Sequence, residues 1–256
     1  QGVLLLVVPH YAVASYALPD EPGASDPNSP SQTFIMDLLS RRRQIDRRRL
    51  ENAAKLFHVD PTYIPLRKPL SIGESDLDII EQLVRRYSIN YIPNRAVALF
   101  DIVGFSLLTP FEQMTQLNSL SYSVNSAHQK MVDTTIDVNF ARSSTGDGFY
   151  IWNRDNGMQA NSNLYHLMHL VMADNAIARR RAKGRTVPLL RTCFHVGGCY
   201  EFHQAEGLNP TIRSDIVGDV TIELARMIER ALPGQIFVGE FETLMPETGS
   251  SDDVLV

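Results

Sequence analysis

Two aspartates follow or precede apolar runs, in settings where carboxylates could bind a metal ion. Asp101 ends the run at residues 96–100 and comes three residues before Gly104. Asp147 lies 46 residues later, between two glycines and ahead of a second apolar run. If both runs are strands with adjacent ends, the two carboxylates meet. Mg²⁺ prefers oxygen ligands and usually takes one or two carboxylates together with substrate phosphates, so this pair is sufficient for a metal–nucleotide complex.

The composition is that of a globular protein whose partners are small molecules or other proteins. The chain has 256 residues, of which 44% are hydrophobic and 21% are charged, so it can bury a sizeable core. A net charge of −5 argues against a nucleic-acid-binding surface, which usually concentrates positive charge. Cys193 and Cys199 would lie roughly 20 Å apart on one extended strand. We therefore expect no disulfide and a reducing, cytoplasmic location.

The first 91 residues read as an accessory segment. The apolar run at residues 3–8 is too short to span a bilayer, which predicts a buried strand, with the stub of a membrane segment as the alternative. Residues 19–32 are typical of a loop. The spacing of apolar residues over 33–57 predicts one amphipathic helix with basic clusters at 41–43 and 47–49. This helix could contact a membrane, although a solvated face is favoured.

Prolines and a second helix separate that segment from the strand that carries Asp101. Pro61, Pro65 and Pro69 argue against regular structure between them. Ser75 is placed to cap a helix over residues 76–87.

The remainder, residues 92–256, predicts one domain of alternating strands and helices. The order is β-α-β-β-α-β-α-β, which indicates an α+β fold with helices packed on one mainly antiparallel sheet. The elements after the Asp101 strand are a helix at 110–132, strands at 136–143 and 149–153, a helix at 161–182, strands at 187–196 and 198–202, a helix at 217–231 and a buried strand at 235–239.

Four segments in this order resemble the catalytic domain of the class III nucleotidyl cyclases, the adenylate and guanylate cyclases. They are Phe100-Asp-Ile-Val-Gly-Phe105, Thr145-Gly-Asp-Gly148, Asp215-Ile-Val-Gly-Asp219 leading to Ala225-Arg226, and Pro233-Gly-Gln-Ile236. Each segment alone is weak, but their order and spacing together are specific. The resemblance implies a ferredoxin-like βαββαβ core over residues 92–256.

The resemblance also implies roles for individual residues. Asp101 and Asp147 match the aspartates that bind two Mg²⁺ or Mn²⁺ ions, with the carbonyl of Ile102 as a further ligand. Backbone N–H groups of Val103, Gly104 and Phe105 match the triphosphate-binding loop, and a loop entering a helix suits an anion. Two further positions match the arginine that stabilises the transition state and the carboxylate that reads adenine. These are Arg226 and Asp215.

Simpler roles exist for both aspartates. Asp101 could cap the following helix, and Asp147 could be a turn residue in a tight hairpin. Their occurrence together with Arg226 and Asp215 favours the metal site.

The chain departs from the family pattern at three places. Ser143 stands where the family has a base-selecting lysine or glutamate, four residues before Asp147. Ile222 stands where the family has a transition-state asparagine, and it has no side-chain hydrogen-bonding group. No lysine follows Lys183, so the late phosphate-binding lysine has no counterpart.

These features favour a nucleoside triphosphate cyclase that acts as a homodimer, with ATP as the expected substrate and second-messenger signalling as its purpose. In the family the site lies between two subunits, so Asp101 and Asp147 of one would face Ser143, Asp215 and Arg226 of the other. Residues 1–91 would hold the dimer or transmit a signal. The alternatives are a degenerate module that binds nucleotide or dimerises without catalysis, and a cyclase for GTP or pyrimidine nucleotides.

Overall fold

The computed structural model describes residues 2–17, 30–67, 74–85, 87–136, 138–205 and 212–242. It divides into two compact units, Gln1–Tyr91 and Ile92–Val256. Among the helices that it describes, none combines the length and apolar character needed to span a bilayer.

The first unit contains a two-stranded antiparallel sheet and four helices. The elements of this unit are β1 (Gly2–Leu5), α1 (His10–Ala17), α2 (Pro30–Ser40), α3 (Arg47–Phe57), β2 (Thr62–Pro65) and α4 (Glu74–Arg85). Strand β1 pairs with β2.

Several sequence expectations for this unit are wrong in detail. The start of the run at residues 3–8 does form a strand, but β1 is half-buried with Leu4 exposed, and the residues of its partner β2 are also exposed. Strand β2 forms between Pro61 and Pro65, where we expected no regular structure. Helix α1 was not expected. Helix α4 begins at Glu74, so Ser75 lies inside its first turn. Most of the expected loop at 19–32 lies outside the described residues, and its last three residues belong to α2.

The single basic helix expected over residues 33–57 is instead two helices, α2 and α3. The Asp46 carboxylate accepts a hydrogen bond from the Arg49 N–H at 2.8 Å and so caps a new helix start. In the break, the backbone N–H of Arg43 donates to Glu81 at 2.9 Å, and its guanidinium donates to the carbonyl of Leu39 at 3.1 Å. Arg43 is therefore a structural residue of this unit, whereas Arg47 pairs with Glu51 on the exposed face of α3.

The second unit has the α+β architecture expected from the sequence. Its elements are β3 (Asn90–Ile102, whose first two residues belong to the first unit), a 3-10 turn (Phe105–Leu107), α5 (Pro110–Asp133), β4 (Phe140–Ser144), β5 (Gly148–Asn153), α6 (Met158–Arg181), β6 (Leu190–Ala205), β7 (Ile212–Val217), α7 (Asp219–Ile228) and β8 (Ile236–Val238).

The sheet has the order β4-β5-β3-β6-β7, and β8 pairs in parallel with β6. The elements β3-α5-β4-β5-α6-β6 form the expected βαββαβ core. The pairs β3–β5, β4–β5 and β6–β7 are antiparallel.

Strand β3 is buried on both faces, and its alternating side chains enter two different cores. Phe100 and its even-numbered neighbours pack in one core with side chains of α5 and α6. Val97 and Leu99 pack in the other with Val220 and Leu224 of α7. A near-continuous apolar run is what a strand covered on both sides requires.

A buried ion pair crosses the second core. The Arg95 guanidinium of β3 donates to Oε2 of Glu201 on β6 at 3.0 Å, and the Trp152 indole donates to Oε1 of the same carboxylate at 2.9 Å. Arg95 also donates to the carbonyl oxygen of Asp155 at 3.0 Å. Both carboxylate oxygens of Glu201 are thus occupied by protein donors.

The end of this unit differs from expectation. Residues 190–205 form one continuous strand rather than two, and β7, which carries Asp215, was not expected. Helix α7 is shorter than expected because it begins only after Gly218. Strand β8 is half-exposed rather than buried. Cys193 and Cys199 are free and buried, and burial raises the pKa values of their thiols to about 12 and about 11.

Candidate active site

The Asp101 carboxylate lies at the end of β3 and is paired with an arginine that sequence reasoning did not single out. Arg191, the second residue of β6, contacts Oδ2 of Asp101 through Nε at 2.8 Å and through Nη2 at 2.6 Å. Asp101 is 7% exposed. It caps no helix, because α5 is capped by Thr109. In the sequence, the one feature that could have pointed to Arg191 is its position near the start of an apolar run that was expected to form a strand.

Asp147 reaches the same end of the sheet from the turn between β4 and β5. Gly148 pairs with Asp101 across β3 and β5, and the N–H of Ile102 donates to the carbonyl of Asp147 at 3.0 Å. A Cβ atom on Gly148 would lie 1.8 Å from the carbonyl oxygen of Phe100, so only glycine allows this approach. The glycine therefore keeps Asp147 beside Asp101.

The charge of Asp147 acts on the Asp101 carboxylate. Burial raises the pKa of Asp101, Arg191 opposes that shift, and the charge of Asp147 adds to it. A site that places two carboxylates together in a partly desolvated position suits a cation.

The donor set fits a divalent metal that prefers oxygen. The described residues contain no cluster of three or more His, Cys, Asp or Glu side chains. The oxygen donors available at this strand end are the carboxylates of Asp101 and Asp147 and the backbone carbonyl of Ile102. Such a set matches Mg²⁺ or Mn²⁺ bound together with substrate phosphates rather than a metal enclosed entirely by protein.

The loop after Asp101 turns sharply at Gly104, which has φ of +70° in the left-handed region. It continues into the 3-10 turn that starts at Phe105. The Val103 N–H donates to the carbonyl of Leu189 at 2.9 Å, so this donor is already paired within the protein. Of the three N–H groups expected to face a triphosphate, those of Gly104 and Phe105 do not take part in this hydrogen bond.

Ser143 and Asp215, the two positions expected to read the base, are in direct contact. Ser143 lies on β4 and Asp215 on β7, and the Ser143 hydroxyl donates to Oδ1 of Asp215 at 2.7 Å. Both side chains are half-buried. The fold thus brings together two residues 72 positions apart in the chain.

Arg226 lies on the exposed side of α7 and pairs with Glu223 one turn away. Ile222, on the same helix, is 51% exposed, so a large apolar side chain faces solvent in this chain. Within the described residues, no hydrogen bond or ion pair links Asp101 or Asp147 to Ser143, Asp215 or Arg226. The expected site residues therefore form separate groups in one chain.

Neither the comparison with protein-family models nor the search of curated proteins gives a match to this sequence. Solved structures do give matches. One is the catalytic core of a rhodopsin-guanylyl cyclase with converted specificity in complex with ATPαS, at 14% identity and a TM-score of 0.45, covering 59% of this chain and 79% of that chain.

A second is the guanylate cyclase domain of RhGC from Catenaria anguillulae in complex with GTP, at 13% identity and a TM-score of 0.44, covering 58% of this chain and 79% of that chain. A third is the adenylyl cyclase CyaB from P. aeruginosa, at 14% identity and a TM-score of 0.38, covering 59% of this chain and 78% of that chain. All three are nucleotidyl cyclases. This is the family that the four sequence segments resemble.

Proposed function

We propose that the second unit is a nucleotidyl cyclase domain that converts a nucleoside triphosphate into a 3′,5′-cyclic nucleotide and pyrophosphate. The observation that carries the proposal is the meeting of Asp101 and Asp147 at adjacent strand ends, directly before the Gly104 turn. The separate contact between Ser143 and Asp215 supplies a second polar group suited to a base.

The proposed metal ligands are the carboxylates of Asp101 and Asp147 and the carbonyl of Ile102. Two Mg²⁺ or Mn²⁺ ions bound here would neutralise charge on the triphosphate and lower the pKa of the attacking 3′-hydroxyl. Arg191 would keep Oδ2 of Asp101 in place, because both of its contacts fall on that oxygen. The N–H groups of the Gly104 loop would hold phosphate oxygens.

Arg226 would supply fixed positive charge to the migrating phosphate. Its guanidinium is exposed and pairs only with Glu223 among the described residues, so it is accessible to a nucleotide. Ile222 gives no hydrogen bond at the neighbouring position. We therefore propose a slower reaction than a site with a polar residue there would achieve.

A homodimer would complete the site. The Asp101–Asp147 pair has no described polar contact with Arg226 in one chain, so a second copy would bring Arg226 to the phosphates held by the first. Residues 1–91 would then serve to hold the dimer or to transmit a signal.

The Ser143–Asp215 pair favours a base that presents an amino group at the purine 6-position or at the matching 4-position of cytosine. Since the Ser143 hydroxyl proton is directed at Asp215, the pair presents mainly acceptor oxygens to a base. The adenine N6 amino group can donate to them, whereas the O6 carbonyl of guanine cannot. We therefore propose ATP as the substrate. The cytosine N4 amino group meets the same condition, which makes CTP the second candidate.

An assay of purified protein with ATP, GTP, CTP and UTP in the presence of Mn²⁺ tests the proposal. We expect cyclic AMP and pyrophosphate as the main products, with cyclic CMP next. If no nucleotide is cyclised but ATP binds, the chain is the degenerate nucleotide-binding module. Preference for GTP or UTP would refute the assignment of Asp215 to the 6-amino group of adenine or the 4-amino group of cytosine.

Complementation tests the shared site. Asp101→Asn and Arg226→Ala protein, carrying different tags and co-purified as a heterodimer, should regain part of the activity that each homodimer lacks, because one of the two interfacial sites is then intact. Inactive heterodimers beside an active wild-type dimer would refute the two-subunit site.

A further inference from the structure

A cavity of about 320 Å³ lies against the side of the Gly104 loop where two arginines project. Val103 and Gly104 form one wall, and the segment from the end of α6 to the start of β6 forms another. The cavity is large enough for a phosphate or pyrophosphate group.

The cavity lining carries positive charge, and the Glu112 carboxylate, which lies outside the lining, interacts electrostatically with Arg185. Arg179 and Arg185 line it, and its lining includes no acidic side chain. Neither guanidinium has a hydrogen bond or ion pair with a described residue, in contrast to Arg191 and Arg226, which both pair with carboxylates. Two unpaired cations around one opening favour a multiply charged anion.

The frame around the cavity is held by buried contacts. The amide of Gln116, which is 6% exposed, donates to the carbonyl of Arg185 at 2.9 Å. The Val103 N–H donates to the carbonyl of Leu189 at 2.9 Å. These two bonds tie the segment that carries Arg185 to α5 and to the Gly104 loop, so the arginine and the loop are positioned together.

We propose that Arg179 and Arg185 form a binding site for a phosphate group adjoining the Gly104 loop. The choice of phosphate as the anion rests on the proposed function. These arginines would provide positive charge for a triphosphate or its pyrophosphate product. The group is either the terminal phosphate of a bound nucleotide or free pyrophosphate.

Calorimetric titration with inorganic pyrophosphate tests the site. The double variant Arg179→Gln/Arg185→Gln should bind pyrophosphate about tenfold more weakly than wild type or worse, because two charge-assisted contacts are lost at exposed positions. Arg180→Gln, at an exposed neighbouring residue outside the cavity lining, is the matched control and should bind as wild type. Equal affinities in the double variant and the control would overturn the proposal.

Nucleotides that lack the 3′-hydroxyl identify the source of the phosphate group, because they cannot cyclise. If the cavity binds the terminal phosphate, the double variant binds 3′-deoxy-ATP more weakly than wild type but binds 3′-deoxy-AMP equally well. Saturating 3′-deoxy-ATP then prevents pyrophosphate from binding to the wild-type protein. If it takes free pyrophosphate, wild-type protein saturated with 3′-deoxy-ATP still binds pyrophosphate, and the double variant does not. Both results support the site.

Failure of the cyclase proposal is distinguishable from failure of this site. If the wild-type protein cyclises no nucleotide but binds pyrophosphate through Arg179 and Arg185, the cyclase proposal fails and the anion-site proposal stands. If the wild-type protein is an active cyclase and the double variant binds pyrophosphate with unchanged affinity, only the anion-site proposal fails. Thermal melting of each variant checks that these exposed substitutions leave the fold intact.

Discussion

Two arginine–carboxylate pairs join β3 to β6. They consist of the same chemical groups but differ in solvent exposure and in the hydrogen bonds of their carboxylates. Arg95 and Glu201 are 2% and 9% exposed at the side chain, and Trp152 occupies the second carboxylate oxygen. Arg191 and Asp101 are 29% and 10% exposed, and both contacts of Arg191 fall on one oxygen. The first pair is enclosed and both oxygens of its carboxylate are bonded, while the second lies at a strand end beside another carboxylate.

This difference indicates that the Arg95–Glu201 pair stabilises the fold, whereas the Arg191–Asp101 pair is suited to a cation-binding site. Breaking an enclosed pair leaves a buried charge without compensation, which is costly. The Asp101 pair keeps one carboxylate oxygen outside its own contacts, and its acid is destabilised in the ionised form by burial and by Asp147. It is therefore the pair whose acid gains most from a bound cation.

The largest expected effect is a loss of activity when the carboxylates of the proposed metal site are changed. Asp101→Asn and Asp147→Asn should each lower kcat/KM by about 10³-fold or more, because losing a metal ligand removes several kcal/mol of transition-state stabilisation. Steady-state cyclase assays measure this loss. Asp133→Asn, at an exposed acid on α5, is the control and should retain wild-type activity. Wild-type turnover in either site variant would remove the metal-site assignment.

The next effect is on stability at the first pair. Arg95→Met should lower the free energy of unfolding by about 3–5 kcal/mol, because Glu201 is left buried with an unpaired charge. Arg191→Met should cost only about 1 kcal/mol, since its pair is partly exposed. Urea denaturation of both variants gives the comparison. Equal losses would show that exposure does not distinguish the two pairs.

A smaller effect is expected in base selection. Ser143→Lys should raise the ATP-to-GTP ratio of kcat/KM, and Asp215→Ala should lower it, each by about 10-fold or more, the value of one hydrogen bond to a charged group. Competition assays with both nucleotides measure the ratio. If Asp215→Ala leaves the ratio unchanged, this carboxylate does not read the base.

The smallest effect concerns pH and stability. Since the folded protein raises the pKa of Asp101 above its ordinary 3.8, ionisation of this acid lowers native stability, and the penalty grows as pH rises through the interval between those values. Asp101→Asn cannot ionise. Its free energy of unfolding should therefore rise relative to wild type as the pH increases from about 4 through the raised pKa of Asp101. A constant difference across this range, measured by urea denaturation, would contradict the raised pKa.

The core of the second unit was predictable because its signals are local. Helix α5 starts at a proline behind a threonine cap, and β3 is a long apolar run, so both follow from sequence. The pairing of Asp101 with Arg191 was not predictable, because 90 residues separate them and no spacing rule links partners across a sheet. The Ser143–Asp215 contact depends in the same way on strand order.

The first unit was predicted less well, because its pieces are short and tertiary contacts decide them. The pattern over residues 33–57 has helical periodicity throughout, yet Asp46 and the Arg43–Glu81 contact divide it. Strand β2 follows Pro61 and ends in Pro65, and it exists because β1 pairs with it. Periodicity cannot report such a partner.

Strand β6 sets distances for most of the proposed site. Arg191 stands near its start, Gly197 in its middle packs within reach of Val220 on α7, and Phe202 near its end pairs with Asp215. A single inserted residue would turn every later side chain to the opposite face of the sheet. Arg191, which contacts Asp101, and Phe202, which pairs with Asp215, are therefore separated by a fixed number of residues along one strand, and insertion of an odd number of residues between them would disrupt this arrangement.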